Sequence, residues 1–223
     1  MSDQLQDPGT TAEHPGVAAL FAVLAYGELA AFERLAREAE MSPDLRGRIA
    51  IGSMAAAQMR HFDDLAAELA ARGLDVVEAT APFEPVISRY HARTTPRNWN
   101  EALVKAYIGN GLAADFYSEV ARALPAGPGA VVSEVLSDTE RSGFVVDRIR
   151  EALATNPALR SPLTLWGRRL LSEAITQAQE VLATRDELAA LLFEASADLP
   201  GVTQFFESLQ TRHAERMATL GLG

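Results

Sequence analysis

The sequence predicts an all-α fold, a four-helix bundle whose two halves are joined by a long crossover. Three observations carry that prediction. Helix-start signals, in which Ser, Thr or Asp stands at or just before a proline, recur along the 223 residues. Apolar residues return at three- and four-residue spacing, and no stretch alternates as a half-buried strand would. The stretches between start and stop signals are long, giving helices of about 40 Å at the standard rise; helices of that length in one domain lie side by side.

The elements follow in order. Residues 1–13 are polar and acidic, with Pro8 and Gly9, and are expected to be a disordered lead-in to a single domain over 14–220. His14 to Glu38 reads as the first helix, with Pro15 tolerated in its first turn. Ser42-Pro43 places a cap before a first-turn proline, and the second helix runs to Arg72 and stops at Gly73. Residues 73–95, with Pro82 and Pro85, form the crossover, with a short helix expected from Val86 to Ala92. Thr95-Pro96 repeats the start signal for a third helix reaching Leu124. Pro125, Gly127, Pro128 and Gly129 make a tight break, so helices 3 and 4 should form an antiparallel hairpin. Helix 4 ends near Ala154, before Asn156-Pro157. Ser161-Pro162 opens a fifth helix to about Glu194, and Asp198 with Pro200 introduces a sixth that ends before Gly221. One long crossover after helix 2, between two helical hairpins, is the ferritin-like topology; helices 5 and 6 are two additions to it.

Composition narrows the chemistry. There is no cysteine, which excludes disulfides, thiolate metal sites and cysteine nucleophiles. The formal charge of −10 disfavours broad contact with a phosphate backbone, so nucleic acid is not the expected partner. Lys105 is the single lysine. Arginines group at Arg89, Arg93 and Arg97 and at Arg160, Arg168 and Arg169, which reads as solvated helix faces. No uninterrupted apolar run reaches the ~20 residues of a membrane span. A cytoplasmic protein with no membrane contact is expected.

Two short motifs carry the functional signal: Gln58-Met59-Arg60-His61 and Asp138-Thr139-Glu140-Arg141. Each has the i, i+3 spacing of the acid-x-x-His pair that holds iron or manganese inside four-helix bundles. The first has Gln in place of the acid, and the second has Arg in place of the imidazole. In helix 1, Glu28 is in sequence with the apolar stripe Val17, Leu20, Leu24, Ala31 and Leu35. Gln58 and His61 fall among Ile51, Met54, Phe62, Leu65 and Leu69. Asp115 sits beside Leu112 and Phe116 in the third helix, and Asp138 is flanked by Val135 and Ser142 in the fourth. That spacing turns all of them inward. A buried carboxylate is costly unless paired, hydrogen-bonded or bound to metal. Dimetal bundles supply such an arrangement: a lone acid from each of two helices and an acid-x-x-His from each of the other two.

At these residues the chain resembles the ferritin-like superfamily, and more closely the MiaE-like family of actinobacterial ferritin-like proteins, named for a tRNA-modifying diiron hydroxylase. Further segments carry the likeness: Leu24-Ala25-Tyr26-Gly27-Glu28, Met54-Ala55-Ala56-Ala57, Val104-Lys105-Ala106-Tyr107, Ala113-Ala114-Asp115-Phe116-Tyr117, Leu165-Trp166-Gly167-Arg168-Arg169 and Gln177-Ala178-Gln179. The resemblance spans residues 14 to 220. It implies Glu28, Gln58, His61, Asp115, Asp138 and Arg141 as the six ligand positions, with Gln58 where relatives carry Glu and Arg141 where they carry His.

Those departures redirect the chemistry. Gln58 removes a charge and a bridging oxyanion, and its amide oxygen is a poor transition-metal ligand. Arg141 stays protonated and offers no lone pair. Its guanidinium is expected to fill the second metal's place, bonded to Asp138 and Asp115 or to Glu28. Glu28, His61, Asp115 and Asp138 remain as residual metal ligands, so the expected cofactor is none or a single metal ion such as iron, and an intact diiron centre is not expected. Three functions follow: a non-catalytic ferritin-like protein that binds a small molecule or a protein partner, a metal-dependent hydroxylase or oxidase of unusual coordination, or iron storage, which needs a hollow oligomer. Gly27, Gly109 and Gly111 either let helices approach or leave room for a ligand. Trp166 and Arg168-Arg169 fit a site mouth, an interface or, for Trp166, the core. Helices 5 and 6 cover an open side of the bundle or form a homodimer interface.

Overall fold

The computed structural model describes residues 14–121, 129, 142–196 and 199–223, and every regular element among them is helical. The helices are α1 (Pro15–Glu38), α2 (Leu45–Ala71), α3 (Val76–Thr80), α4 (Glu84–Arg93), α5 (Trp99–Ala121), α6 (Ser142–Thr155), α7 (Arg160–Thr184), α8 (Asp186–Ser196) and α9 (Leu199–Leu220). The expected all-α bundle is present. α1 and α2 form the closest pair, the α3–α4 segment crosses over, and α5 packs against α6 and α7. The expected lead-in 1–13 and the break at 125–128 lie outside the described residues.

Several element starts are displaced from the prediction for a local reason. Ser42-Pro43 forms a turn, and Asp44 is the cap of α2: its carboxylate accepts the Gly47 N–H at 2.7 Å. That hydrogen bond holds the Asp44 carboxyl below its usual range. Asn98 plays the same part for α5, accepting the Glu101 N–H at 3.0 Å, in place of Thr95. The crossover is more helical than predicted, since Asp75 caps a separate turn, α3, ahead of α4. The long fifth helix is broken at Arg185 (φ −136°, ψ 88°), so three helices rather than two follow the bundle. Thr184 bonds back to Glu180, and the acidic pair Asp186 and Glu187 suits the start of a new helix.

The core lies in two clusters. One gathers Val17, Phe21, Leu24, Leu65, Leu69 and Ile87 around the N-terminal half of α1. The other gathers Leu35, Ile51, Met54, Leu103, Ile108, Ile149, Trp166 and Leu170 around its C-terminal half. Truncating one of the fully buried leucines, such as Leu65, would cost about 2–5 kcal/mol. With a mean hydropathy of 1.6, the stretch Pro15–Met41 is apolar enough to cross a membrane, yet half of its apolar window is buried inside the bundle. Its hydropathy is that of a core helix flanked by both clusters.

Candidate functional site

The structure treats the predicted ligand positions unequally. Glu28 on α1 is buried, and one of its carboxylate oxygens lies 3.4 Å from the His61 Nδ1 on α2. Gln58, one turn before His61, is half-buried and lines an internal cavity together with Glu28. Glu28 and His61 are in contact, and Gln58 shares the cavity wall with Glu28. Asp138 and Arg141 lie outside the described residues.

Asp115 is also buried, but α9 takes up both of its oxygens. Arg216 grips it through two bonds, Nη1 to Oδ2 at 2.6 Å and Nη2 to Oδ1 at 2.7 Å. Arg212 adds a third, to Oδ1 at 3.3 Å. The expected partner Arg141 lies outside the described residues, and the guanidinium groups described on Asp115 thus come from the last helix. Gly111, one turn before Asp115, explains how. A Cβ there would collide with the Arg216 side chain, so glycine gives that arginine its path. Gly109 has open space beside it and lines the cavity, as does Gly27. Of the two roles expected for the glycines, Gly111 fills the first and Gly109 the second.

Among the described residues, no three His, Asp or Glu side chains converge closely enough to hold a metal ion. The donor set they present in contact is one carboxylate and one imidazole, with an amide beside them.

The cavity holds about 240 Å³ and follows α1 from Leu20 to Glu38. Its remaining walls come from α4, α5, α7 and α8, with Gln58 of α2 and Leu209 of α9, and most of its surface is apolar. At the C-terminal end of α1 it becomes polar. There Lys105 of α5 donates to Glu38 at 3.2 Å, both side chains being more than nine-tenths buried. Burial raises the Glu38 pKa against the pull of Lys105, and burial lowers that of Lys105 against the pull of Glu38. His91 of α4 lines the same end, 9% exposed, and its Nδ1 has no hydrogen-bond partner. Burial, then the charges of Lys105 and Arg34, lowers its pKa to about 3, so the ring is neutral. Tyr90 is held protonated by burial and by the charge of Glu38.

Sequence reasoning passed over this polar end, although the signal was there. Glu38 continues the stripe Leu24, Glu28, Ala31, Leu35 by one more step of three, and Lys105 precedes Ile108 and Leu112 at the same spacing. The arginine groups, by contrast, are accounted for on the surface. Arg89 pairs with Glu180, Arg93 with Glu173 and Arg97 with Glu101. Arg160 bonds the Gly221 carbonyl, and Arg168 and Arg169 are exposed. Trp166 is a core residue, its indole N–H donating to the Glu101 carbonyl at 2.9 Å.

Residues 12–195 match the ferritin-like domain family of actinomycetes. The chain belongs to that family. Among solved structures it is similar to a protein of Synechococcus described as having aldehyde deformylating oxidase activity, with 17% identity and a TM-score of 0.68. The alignment covers 98% of this chain and 95% of that one, so the likeness of fold runs through the C-terminal helices as well. No curated protein sequence matches the chain.

Proposed function

We propose that this ferritin-like protein works by binding a small molecule in its internal cavity, and that its dimetal site is degenerate. The observation that carries this reading is the Arg216–Asp115 clamp. A carboxylate whose two oxygens each accept a short charge-assisted hydrogen bond has no strong lone pair directed at a metal. Gln58 removes a second carboxylate, and among the described residues Glu28 and His61 are the contacting pair, which is short of a dimetal ligand set. The residues at these positions therefore support a bundle in which arginine charge, rather than a metal ion, balances the acids. The resemblance to tRNA-hydroxylase-like proteins is, on this reading, one of ancestry. The net charge of −10 and the ion-paired Arg89, Arg93 and Arg97 argue against a nucleic-acid substrate.

The test is elemental analysis after anaerobic loading with Fe(II). The protein should retain fewer than two irons per chain, and two irons with oxygen consumption would sink the reading. The variant carrying Gln58→Glu and Arg141→His should still fall short of two irons until Arg216→Met releases Asp115. A second reading, a mononuclear metal-dependent hydroxylase, is favoured by the Glu28–His61 contact. It requires one iron per chain that is lost in His61→Ala.

A further inference from the structure

The cavity has a chemical direction that the predicted ligand positions do not explain. One end is hydrocarbon, with Leu20 of α1 facing Leu188 and Leu191 of α8. The other end, about 27 Å further along α1 by helical rise, carries Arg34, Glu38, His91 and Lys105. Two cations and one anion meet there. Lys105 is already bound to Glu38, which leaves Arg34 as the excess charge. Arg34 acts on Glu38, His91 and Lys105 through its field and makes no ion pair among the described residues. The buried Nδ1 of His91 is likewise without a partner.

The unbonded ring nitrogen is buried and costly as it stands, and the half-buried Arg34 guanidinium beside it has no acid partner among the described residues. An oxyanion would satisfy both at once: Arg34 donates to it, and the neutral His91 ring can place its proton on Nδ1. The rest of the space asks for something else. It is long, aliphatic and slightly smaller than the roughly 300 Å³ at which drug-sized sites begin, which suits a slim chain better than a ring system.

We propose that the cavity binds a single-chain amphiphile with a carboxylate head, the head seated among Arg34, Lys105 and His91 and the alkyl chain lying along α1 past Gly109 toward Leu188 and Leu191. The inference rests on the reading that the bundle works by binding in this cavity. It places the head about two to three helical turns from Glu28, on residues outside the predicted ligand set.

Calorimetric titration of metal-free, chelator-treated protein with decanoate, octanoate, decanol and acetate tests it. Decanoate should bind, with affinity rising about four-fold for each methylene between octanoate and decanoate. Decanol should bind on the order of ten-fold more weakly, and acetate far more weakly still. Arg34→Gln should cost decanoate about ten-fold or more and leave decanol unchanged, with the thermal unfolding transition retained. Glu38→Gln should tighten decanoate, because it removes the carboxylate that competes for Lys105; a merely structural Glu38 would give no gain. Failure of decanoate to bind, equal affinity for decanoate and decanol, or an Arg34→Gln variant that keeps the preference for the acid would each overturn the proposal. Iron content is read on separate samples. Two irons per chain would defeat the degenerate site and leave the amphiphile site standing, and indifference to the head group would do the reverse.

Discussion

Asp115 and Glu38 are carboxylates buried to nearly the same degree, 5% and 6% exposed, and the molecule answers them in opposite ways. Asp115 receives three hydrogen bonds from two arginines that reach in from α9, with a glycine opposite to admit one of them. Glu38 has one bond, from Lys105, and burial outweighs that partner enough to push its pKa up. A carboxylate with its oxygens fully engaged is a structural element. A carboxylate and an ammonium held at 3.2 Å, beside an imidazole nitrogen without a hydrogen bond and a guanidinium without an ion pair among the described residues, leave hydrogen-bonding capacity unspent. Of the two buried polar clusters, Asp115 is closed by its own bonds, and the Glu38 end is the one for which we propose a ligand; it is not the one the motifs marked.

The largest expected effect falls on the finished cluster. Arg216→Met strands Asp115 and should cost about 3–5 kcal/mol in urea unfolding. Adding Asp115→Asn to the same chain should recover most of that loss. A cost below about 1 kcal/mol would break the comparison, because Asp115 would then not depend on its clamp.

The second prediction concerns pH and belongs to the open cluster. His91 is neutral in the folded protein down to about pH 3, whereas the unfolded chain protonates it near 6.5. The unfolded state therefore binds the extra proton between those values. The stability from keeping His91 neutral is complete above pH 6.5 and is lost as pH falls toward 3, with a slope approaching about 1.4 kcal/mol per pH unit. His213, buried with neither ring nitrogen hydrogen-bonded and its pKa lowered by burial and then by Arg216, adds in the same direction. Glu38 works against them: its raised pKa lets the folded state take up a proton first as pH falls toward 4.5. His91→Gln should flatten the acid limb measured by denaturation between pH 7 and 5. An unchanged limb would assign acid loss to His213 and the surface carboxylates, and would remove His91 from the open cluster.

The smallest effect separates two neighbouring glycines. Gly109→Ala meets open space and should gain up to about 1 kcal/mol from helix propensity while narrowing the cavity. Gly111→Ala should forgo that gain, because its Cβ must displace Arg216. Equal thermal shifts for the two would mean that Arg216 moves aside at no cost.

The all-α class, the crossover and the inward turn of Glu28, His61 and Asp115 were legible because each depends on spacing within one helix. Helix starts were legible to within a few residues: proline marked the turn, but Asp44 and Asn98 made the caps. Arg185 could not be read as a break, since no glycine or proline marks it. The clamp was beyond reach for another reason. Asp115 and Arg216 are 101 positions apart, and nothing in either neighbourhood says which buried acid an arginine on the last helix will find. The Glu38–Lys105 pair was within reach, since both residues continue apolar stripes, but no short motif spacing joins two residues 67 positions apart.

Lys105 has one further consequence. It is the single lysine of the chain, so the protein carries one side-chain amine, and that amine is buried at the polar end of the cavity. Amine-directed chemistry can reach this molecule at only two places, the backbone N-terminus and this interior position. The molecule therefore contains one natural lysine reporter, whose reaction rate tracks access to its own interior without any engineered label.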